Sequence, residues 1–266
     1  MSEPLSVVIV NYRTPDLTIK CVRSLLTQGI AAPEDIIVVE NASGDGSRRV
    51  IDAAQLGCML IQADCNRGYG AGLNLGMAQA RHALVLCLNP DTYFENADVL
   101  GVGVAFDANS RLGLLGLDLR DPDGSRQFSA RRDYSLIDII LRRSWLGRFG
   151  PGYRLVQRHL MTDSWGGGIF SADWVLGTGF VIRRAAFVAI NGMDTRFFLY
   201  MEDVDLCVRL RQAGWRVAAT PAIQLTHDHQ RASGQRLLSR AAWLHLKSLS
   251  RFIRQHSLPL LPRRLP

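Results

Sequence analysis

Several features that would assign a class at once are missing from this 266-residue chain. Cysteine is scarce and scattered. Its five copies, Cys21, Cys58, Cys65, Cys87 and Cys207, have no paired spacing, which excludes a zinc knuckle and a disulfide framework and predicts free, mostly buried thiols. No apolar run approaches the ~20 residues a membrane span needs. The opening MSEPLSVVIV carries neither a basic n-region nor a small-residue cleavage site, so no signal peptide is expected and a cytoplasmic location is. No GxGxxG follows the first apolar run and no GxxxxGK[ST] occurs anywhere, which speaks against a Rossmann dehydrogenase and a P-loop enzyme. Basic stretches interleaved with stacking aromatics are absent, as are helix-turn-helix and zinc-finger patterns, and nucleic acid is not expected as a partner.

What is present is a core and a positive charge. Hydrophobic residues make up 47% of the chain, ample for one sizeable α/β core with a C-terminal appendage. Lysine plus arginine number 31 against 24 acids, a net +7 carried mostly by arginine. That balance suits phosphate-bearing partners or an anionic membrane face.

Periodicity orders the first hundred residues into βα units. Leu5 to Val10 reads as a buried strand ending at Asn11 and Tyr12, and Asp16 to Gln28 has helical spacing. Ile36 to Val39 is a second strand, ending at Glu40 and followed by the turn Asn41 to Ser47. A third, Cys58 to Ile61, leads through Asn66, Arg67 and Gly68 into a small-residue helix over Ala71 to Ala80. The run Ala83 to Thr92 (ALVLCLNPDT) then stops abruptly at Asn89, Pro90 and Asp91. A strand buried on both faces delivers its last residues to the carboxyl edge of a parallel sheet, where open α/β sheets bind ligands. Asp91 is therefore either a turn-opening aspartate or a carboxylate that holds a divalent cation and, through it, phosphates.

Beyond Asp91 the spacing predicts a helix near Ala97 to Asp107, a strand near Leu112 to Leu117 and a hairpin-type turn over Asp121 to Gly124. The arginine-rich stretch Arg131 to His159, ending at Gly166 to Gly168, reads as a solvated irregular insertion or as a mobile lid or acceptor loop hinged on glycines. Trp174 to Ile182 is strand-like but broken at Gly177 and Gly179. In FFLYMEDVDLCVR, the acids Glu202, Asp203 and Asp205 stand where a helix begins. Capping the helix dipole is one reading. Spacing separates their jobs: Asp203 shares the inward face with Cys207 and Leu210, Asp205 sits four residues before Arg209 and forms an ordinary ion pair, and Glu202 can steady either neighbour. Asp203 is the candidate to take a proton from an attacking hydroxyl. His227, at the end of a strand-like segment and followed by Asp228 and His229, can add a ligand to the cation. Glu40 and Asn66 can hydrogen-bond a nucleobase and ribose. The tail after Arg236 is helical and amphipathic enough to pack on the core or lie on a membrane.

Together SVVIVNYRT, VVENASGDGS, NRGYGAGLNLG, LNPDT, GTGFVIRR and NGMDTRFFLYMEDVDLCVRLRQAGW, with Thr226-His227 after a final strand, resemble family 2 glycosyltransferases of the GT-A fold, and more narrowly the rhamnosyltransferase-type branch. The resemblance covers about residues 5 to 235. It implies an α/β fold, a single Rossmann-like domain with a mixed, mainly parallel central sheet flanked by helices. Residues 1–235 would form the transferase domain (1–100 the nucleotide-binding half, 101–235 the acceptor half), and 236–266 an amphipathic helical tail. It implies inverting transfer from a nucleotide-diphosphate sugar, dTDP-rhamnose favoured, to a glycan or lipid-linked saccharide in cell-surface polysaccharide synthesis.

Carried over residue by residue, Asp91 matches the metal-binding acid, with Asn89 replacing the first acid of the family's motif, and the metal would be Mg²⁺ or Mn²⁺. Asp203, with Glu202 beside it, matches the catalytic base. His227 matches a histidine that completes the metal or diphosphate site. Asn11, Tyr12, Glu40, Asn66 and Gly68 fall where the family holds the nucleotide, Glu40 standing where aspartate is usual. Two alternatives remain beside the transferase: a non-catalytic nucleotide-sugar or glycan-binding module of the same fold, and a nucleotidyltransferase. Peripheral contact with the inner face of the cell membrane is a further expectation, from Arg142 to Arg158 and the tail.

Overall fold

The computed structural model describes residues 4–96, 100–228 and 240–262. Its first part runs β1 (Leu5–Asn11), α1 (Pro15–Thr27), β2 (Ile36–Glu40), α2 (Ser47–Ala53), β3 (Met59–Gln62), α3 (Tyr69–Gln79) and β4 (Leu84–Leu88). Every residue of β1, β2 and β4 is buried, as near-continuous apolar runs in a parallel sheet covered on both faces should be. Truncating one of these side chains, Leu86→Ala for instance, is expected to cost about 2–5 kcal/mol. Helix α3 reaches the sheet through its small residues: a Cβ on Gly72 would stand 2.7 Å from Val10 Cγ1. That close approach explains why this helix is poor in large side chains.

The second part comprises β5 (Thr92–Tyr93), α4 (Leu100–Asp107), β6 (Leu112–Arg120), β7 (Ala130–Arg131), α5 (Leu136–Arg143), α6 (Gly150–Leu160), β8 (Phe170–Ser171), β9 (Trp174–Val175), β10 (Gly179–Arg183), α7 (Arg184–Ala189), α8 (Glu202–Gln212), β11 (Arg216–His227) and α9 (Arg240–His256). The main sheet has the order β3-β2-β1-β4-β10-β6-β11-β5, with β8 also on β11. Strands β1 to β4 pair in parallel, β10 is antiparallel to both β4 and β6, and β6 and β11 are again parallel. The mixed, mainly parallel sheet is the expected one. Helices α1, α2 and α4 cover one face through Val22, Leu25, Ile51 and Phe106; α3, α8 and α9 cover the other through Leu73, Met77, Leu206 and Phe252.

One expectation changes. The stretch 131–159 is not irregular: it holds α5 and α6, α5 being started by a capping box in which Ser135 and Asp138 bond reciprocally. Arginines diluted the apolar spacing there, while Tyr134 stacks on Trp174 beneath the two helices at a centroid distance of 5.2 Å. The break expected at Gly177 within 174–182 is present, while Gly179 already belongs to β10. Gly177 and Thr178 leave the ladder between β9, which pairs with β7, and β10, which enters the main sheet. The expected helix start at Ala97 and the 235/236 boundary lie outside the described residues, as does His229. The tail helix packs on the core, burying Phe252.

Candidate active site

The carboxyl ends of β1, β2 and β4 meet the entry to β10 along one sheet edge. Asn89 N–H donates to the Thr178 carbonyl at 2.9 Å, which pins the end of β4 against the turn before β10. Two adjoining cavities open here. One, of about 450 Å³, is lined by Tyr12, Asn41, Asn66, Asn89, Asp91 and Phe198 among others. The second, of about 590 Å³, is lined among others by Arg131, Gly177, Glu202, Asp203 and His227. Tyr69, Asn89 and Leu199 belong to both walls, so the cavities are neighbours across these three residues.

Among the residues expected to hold a nucleotide, Tyr12, Asn66, Gly68, Asn89 and Asp91 line the first cavity. Gly68 is required by its backbone: φ is +96° and a Cβ would overlap the Phe198 carbonyl oxygen. Asn11 and Glu40 are not brought to the wall. Asn11 is buried and its Oδ1 accepts from Thr14 N–H and from the Thr18 hydroxyl at 2.9 Å, organising the start of α1. Glu40, also buried, accepts from Ser43 N–H and from Gln62 Nε2, bracing the turn after β2. Asn41, one residue on, lines the cavity instead.

Asp91 and His227 come together because β11 pairs antiparallel with β5, His227 lying opposite Thr92. His227 Nε2 is 3.4 Å from Asp91 Oδ2. Its Nδ1 is 2.6 Å from Gln127 Oε1. The Gln127 amide nitrogen donates to Asp121 Oδ1 and to the His227 carbonyl, both pure acceptors, so the amide oxygen faces the ring and Nδ1 carries the proton. This fixes the tautomer that turns the Nε2 lone pair toward Asp91. Asp91 Oδ1 is buried with no hydrogen-bond partner among the described residues. An orphaned carboxylate oxygen beside an oriented imidazole fits a divalent cation. Among the described residues no group of three or more His, Cys, Asp or Glu converges to hold one, so diphosphate oxygens and water would complete the coordination.

Asp203 opens α8 and faces the second cavity. Its Oδ2 accepts from Gly177 N–H at 3.0 Å and its Oδ1 from Val204 N–H at 2.8 Å. Burial raises its pKa, while these N–H groups and Arg131 oppose the rise. Glu202 is more deeply enclosed, its Oε2 has no partner among the described residues, and burial with the adjacent Asp203 charge pushes its pKa up to about 8. The two carboxyls titrate as a pair, and the backbone donors on Asp203 favour placing the negative charge there. The chain enters α8 through Tyr200 and Met201, both at φ 68°, a left-handed conformation that costs non-glycine residues about 1–2 kcal/mol each.

Asp205 is more than half of an ion pair. Fully buried, it binds Arg209 Nε at 2.6 Å and also receives His256 Nε2 at 2.7 Å and Gln255 Nε2 at 3.1 Å. Sequence spacing could find the Arg209 partner but not the tail. It also missed Tyr69, whose hydroxyl donates to the Gly177 carbonyl at 3.2 Å and whose pKa is raised well above 10 by burial and by Glu202, Asp203 and Asp91 around it. Its place directly after Gly68 was the available signal. Gln127 and Arg131 carried none.

Known proteins fit this geometry. The fold is that of GT-A glycosyltransferases: a structure of GalNAc-T7 with UDP, GalNAc and Mn²⁺ superposes with a TM-score of 0.67 at 14% identity, over 95% of this chain and 48% of that one. The mannosyltransferase PcManGT of Pyrobaculum calidifontis, in complex with GDP-Man and Mn²⁺, gives 0.65 at 16% identity, over 97% and 66%. Family models described as glycosyl transferase family 2 and glycosyltransferase like family 2 match residues 6–170 and 124–245. The chain is 30% identical to the N-acetylglucosaminyl-diphospho-decaprenol L-rhamnosyltransferase of Mycobacterium tuberculosis, over 97% of its own length and 86% of the relative's. To the rhamnosyltransferase WbbL of Escherichia coli K12 it is 27% identical over 70% of each. The chain belongs to glycosyl transferase family 2, in a rhamnosyltransferase-like branch, and is a glycosyltransferase. Of the readings the sequence left open, the binding module and the nucleotidyltransferase have no support in these likenesses.

Proposed function

We propose that this glycosyltransferase moves a deoxyhexose, rhamnose from dTDP-rhamnose, onto a glycan or lipid-linked saccharide with inversion at the anomeric carbon. The observation that carries the reading is the pair of adjoining cavities, with Asp91 on one wall and Asp203 on the other. Asn41, Asn66 and Tyr12 would receive the nucleotide, and the sugar would lie near Tyr69 and Asn89, where the cavities adjoin. A cation held by Asp91 and His227 would neutralise the departing diphosphate. The acceptor oxygen attacks the anomeric carbon from the face opposite the diphosphate, its proton passes to Asp203, and the carbon–oxygen bond to the diphosphate breaks. Two backbone donors favour the ionised form of Asp203, which suits it to this task. The transition state carries oxocarbenium character, by analogy with glycoside chemistry. The resemblance to enzymes named as rhamnosyltransferases, one of them acting on a diphospho-decaprenol saccharide, supports the sugar and the acceptor class.

The acceptor class also supports work at the inner face of a membrane. No helix among the described residues is long and apolar enough to cross one. Trp145, Phe149 and Tyr153 around α6, and Trp243 and Leu246 on α9, expose large apolar surfaces near Arg142, Arg154, Lys247 and Arg254. This composition suits peripheral contact with anionic lipid.

The test of donor and metal is direct. Purified protein is screened for thermal stabilisation by nucleotide sugars with and without Mg²⁺ or Mn²⁺, and stabilisation by dTDP-rhamnose that needs the cation is expected. A larger, cation-independent response to another nucleotide sugar would reassign both.

A further inference from the structure

A cation on the wall of the second cavity favours the Asp203 carboxylate and still keeps a donor unused. Arg131, on β7, is 8% exposed, and its Nε is buried without a hydrogen-bond partner among the described residues. Its Nη1 donates only to the carbonyl of its neighbour Ala130 at 2.9 Å, and its guanidinium lies 5.9 Å from the centre of the Trp174 ring. Arg126, on the same wall, is committed: Nε and Nη2 bind Asp118 at 2.7 and 3.1 Å. Asp118 in turn is shared with Arg120 at 2.7 Å, so two guanidinium groups are set against one carboxylate. Arg126 and Arg131 line the cavity with Phe128, Leu160 and Leu176, and with the carboxyls of Glu202 and Asp203. Burial lowers the Arg131 pKa to about 10, which leaves it charged at neutral pH.

A buried cation with an orphaned donor is costly unless an anion arrives to meet it. A planar guanidinium suits phosphate oxygens, which accept from it in bidentate fashion. The nucleotide's own diphosphate is assigned to the Asp91 side, across Tyr69 and Asn89. Beyond the Asp203 carboxylate, which already favours its charge, a further anion for Arg131 is available from the other substrate. We propose that Arg131, flanked by Arg126, forms an acceptor subsite for a phosphate group attached to the acceptor saccharide, with Phe128, Leu160 and Leu176 beside it for the apolar chain that such a phosphate carries. This inference rests on the transferase reading and adds to it a residue that selects phosphate-linked over neutral acceptors.

The experiment compares two acceptors with the same sugar: N-acetylglucosaminyl diphosphate on a short prenyl chain, and an uncharged alkyl N-acetylglucosaminide. Wild type should favour the diphosphate compound by tenfold or more in KM. Arg131→Gln should erase that preference, and Arg131→Lys, which keeps the charge and loses the fork, should reduce it three- to tenfold. Should Arg131→Gln fail to fold, as a thermal melt would reveal, Arg131→Lys carries the comparison. If Arg131 serves only to favour the Asp203 carboxylate, kcat falls alike for both acceptors and the preference survives, which overturns the subsite. Calorimetric binding of the same two compounds reads the subsite without turnover. A diphosphate compound that binds wild type and the variants equally overturns it. Arg131-dependent binding with no sugar transfer from any donor overturns the transferase reading and leaves the subsite standing.

Discussion

His227 Nε2 faces Asp91 Oδ2 at 3.4 Å, so the last residue of β11 and the residue before β5 share one corner of the sheet edge. Because Gln127 holds the ring by its Nδ1–H, the corner depends on a third residue. Asp91→Ala and His227→Ala are expected to raise the cation concentration needed for donor turnover, and chelation should abolish turnover in wild type. Gln127→Ala should weaken metal-supported activity about 10- to 100-fold, the usual effect of losing an orienting partner. A metal titration of initial rates checks all three, and an unchanged metal dependence in Asp91→Ala would remove the assignment.

Asp203→Asn keeps the shape and loses the carboxylate proposed as the base. Its kcat should fall about 10²–10⁴-fold, the range general base catalysis supplies, with donor affinity nearly intact. Single-turnover kinetics alongside donor binding separate the two effects. Near-normal turnover would hand the proton to another group.

Glu202 gives a pH signature. Its folded pKa of about 8 stands above its ordinary 4.5, so between those values the folded chain binds more protons than the unfolded chain. Stability from this group therefore falls as pH rises through that window. Glu202→Gln removes the titration, and its melting temperature relative to wild type should climb from pH 5 to pH 8.5. A constant difference across that range would contradict the raised pKa.

Asp205 ties the tail to the helix that carries Asp203. Removing one buried partner with His256→Ala should cost about 1–3 kcal/mol, since a hydrogen bond to a buried carboxylate is lost while Arg209 remains. The readout is the urea midpoint, together with kcat. A stability loss without any change in kcat would limit the tail to a structural part.

Membrane contact through α6 and α9 predicts sedimentation with vesicles containing anionic lipid, weakened by salt and by paired Trp145→Ala and Phe149→Ala changes. Binding indifferent to lipid charge and salt would exclude an electrostatic contribution.

Much of this was legible in the chain because buried parallel strands write themselves as apolar runs. Leu84–Leu88 announced its end at Asn89 to Asp91, and the acids before Val204 announced the start of α8. The resemblance then joined Asp91, Asp203 and His227 before any geometry did. Illegible were the residues whose roles depend on pairing between distant segments. Nothing local marks Gln127 as the partner of His227, because the turn that presents it is fixed by Asp121 and by the β6 register. Asn11 and Glu40 were placed at the correct strand ends, yet their side chains turned inward to brace loops, a choice made by rotamer and neighbour rather than by position. Helices α5 and α6 hid behind arginines such as Arg142 and Arg154, which interrupt their apolar spacing.

The reversal of β10 between β4 and β6 has a consequence for how the site can drift over evolution. An antiparallel strand begins where its parallel neighbours finish, and that is why Gly177 arrives beside Asp203 with its amide hydrogen pointing at the carboxylate. The Asp203 carboxylate is thus aimed by peptide groups at Gly177 and Val204, which no side-chain replacement deletes. Its aim is inherited from strand order, leaving the cavity's side chains at liberty to vary while this carboxylate stays put.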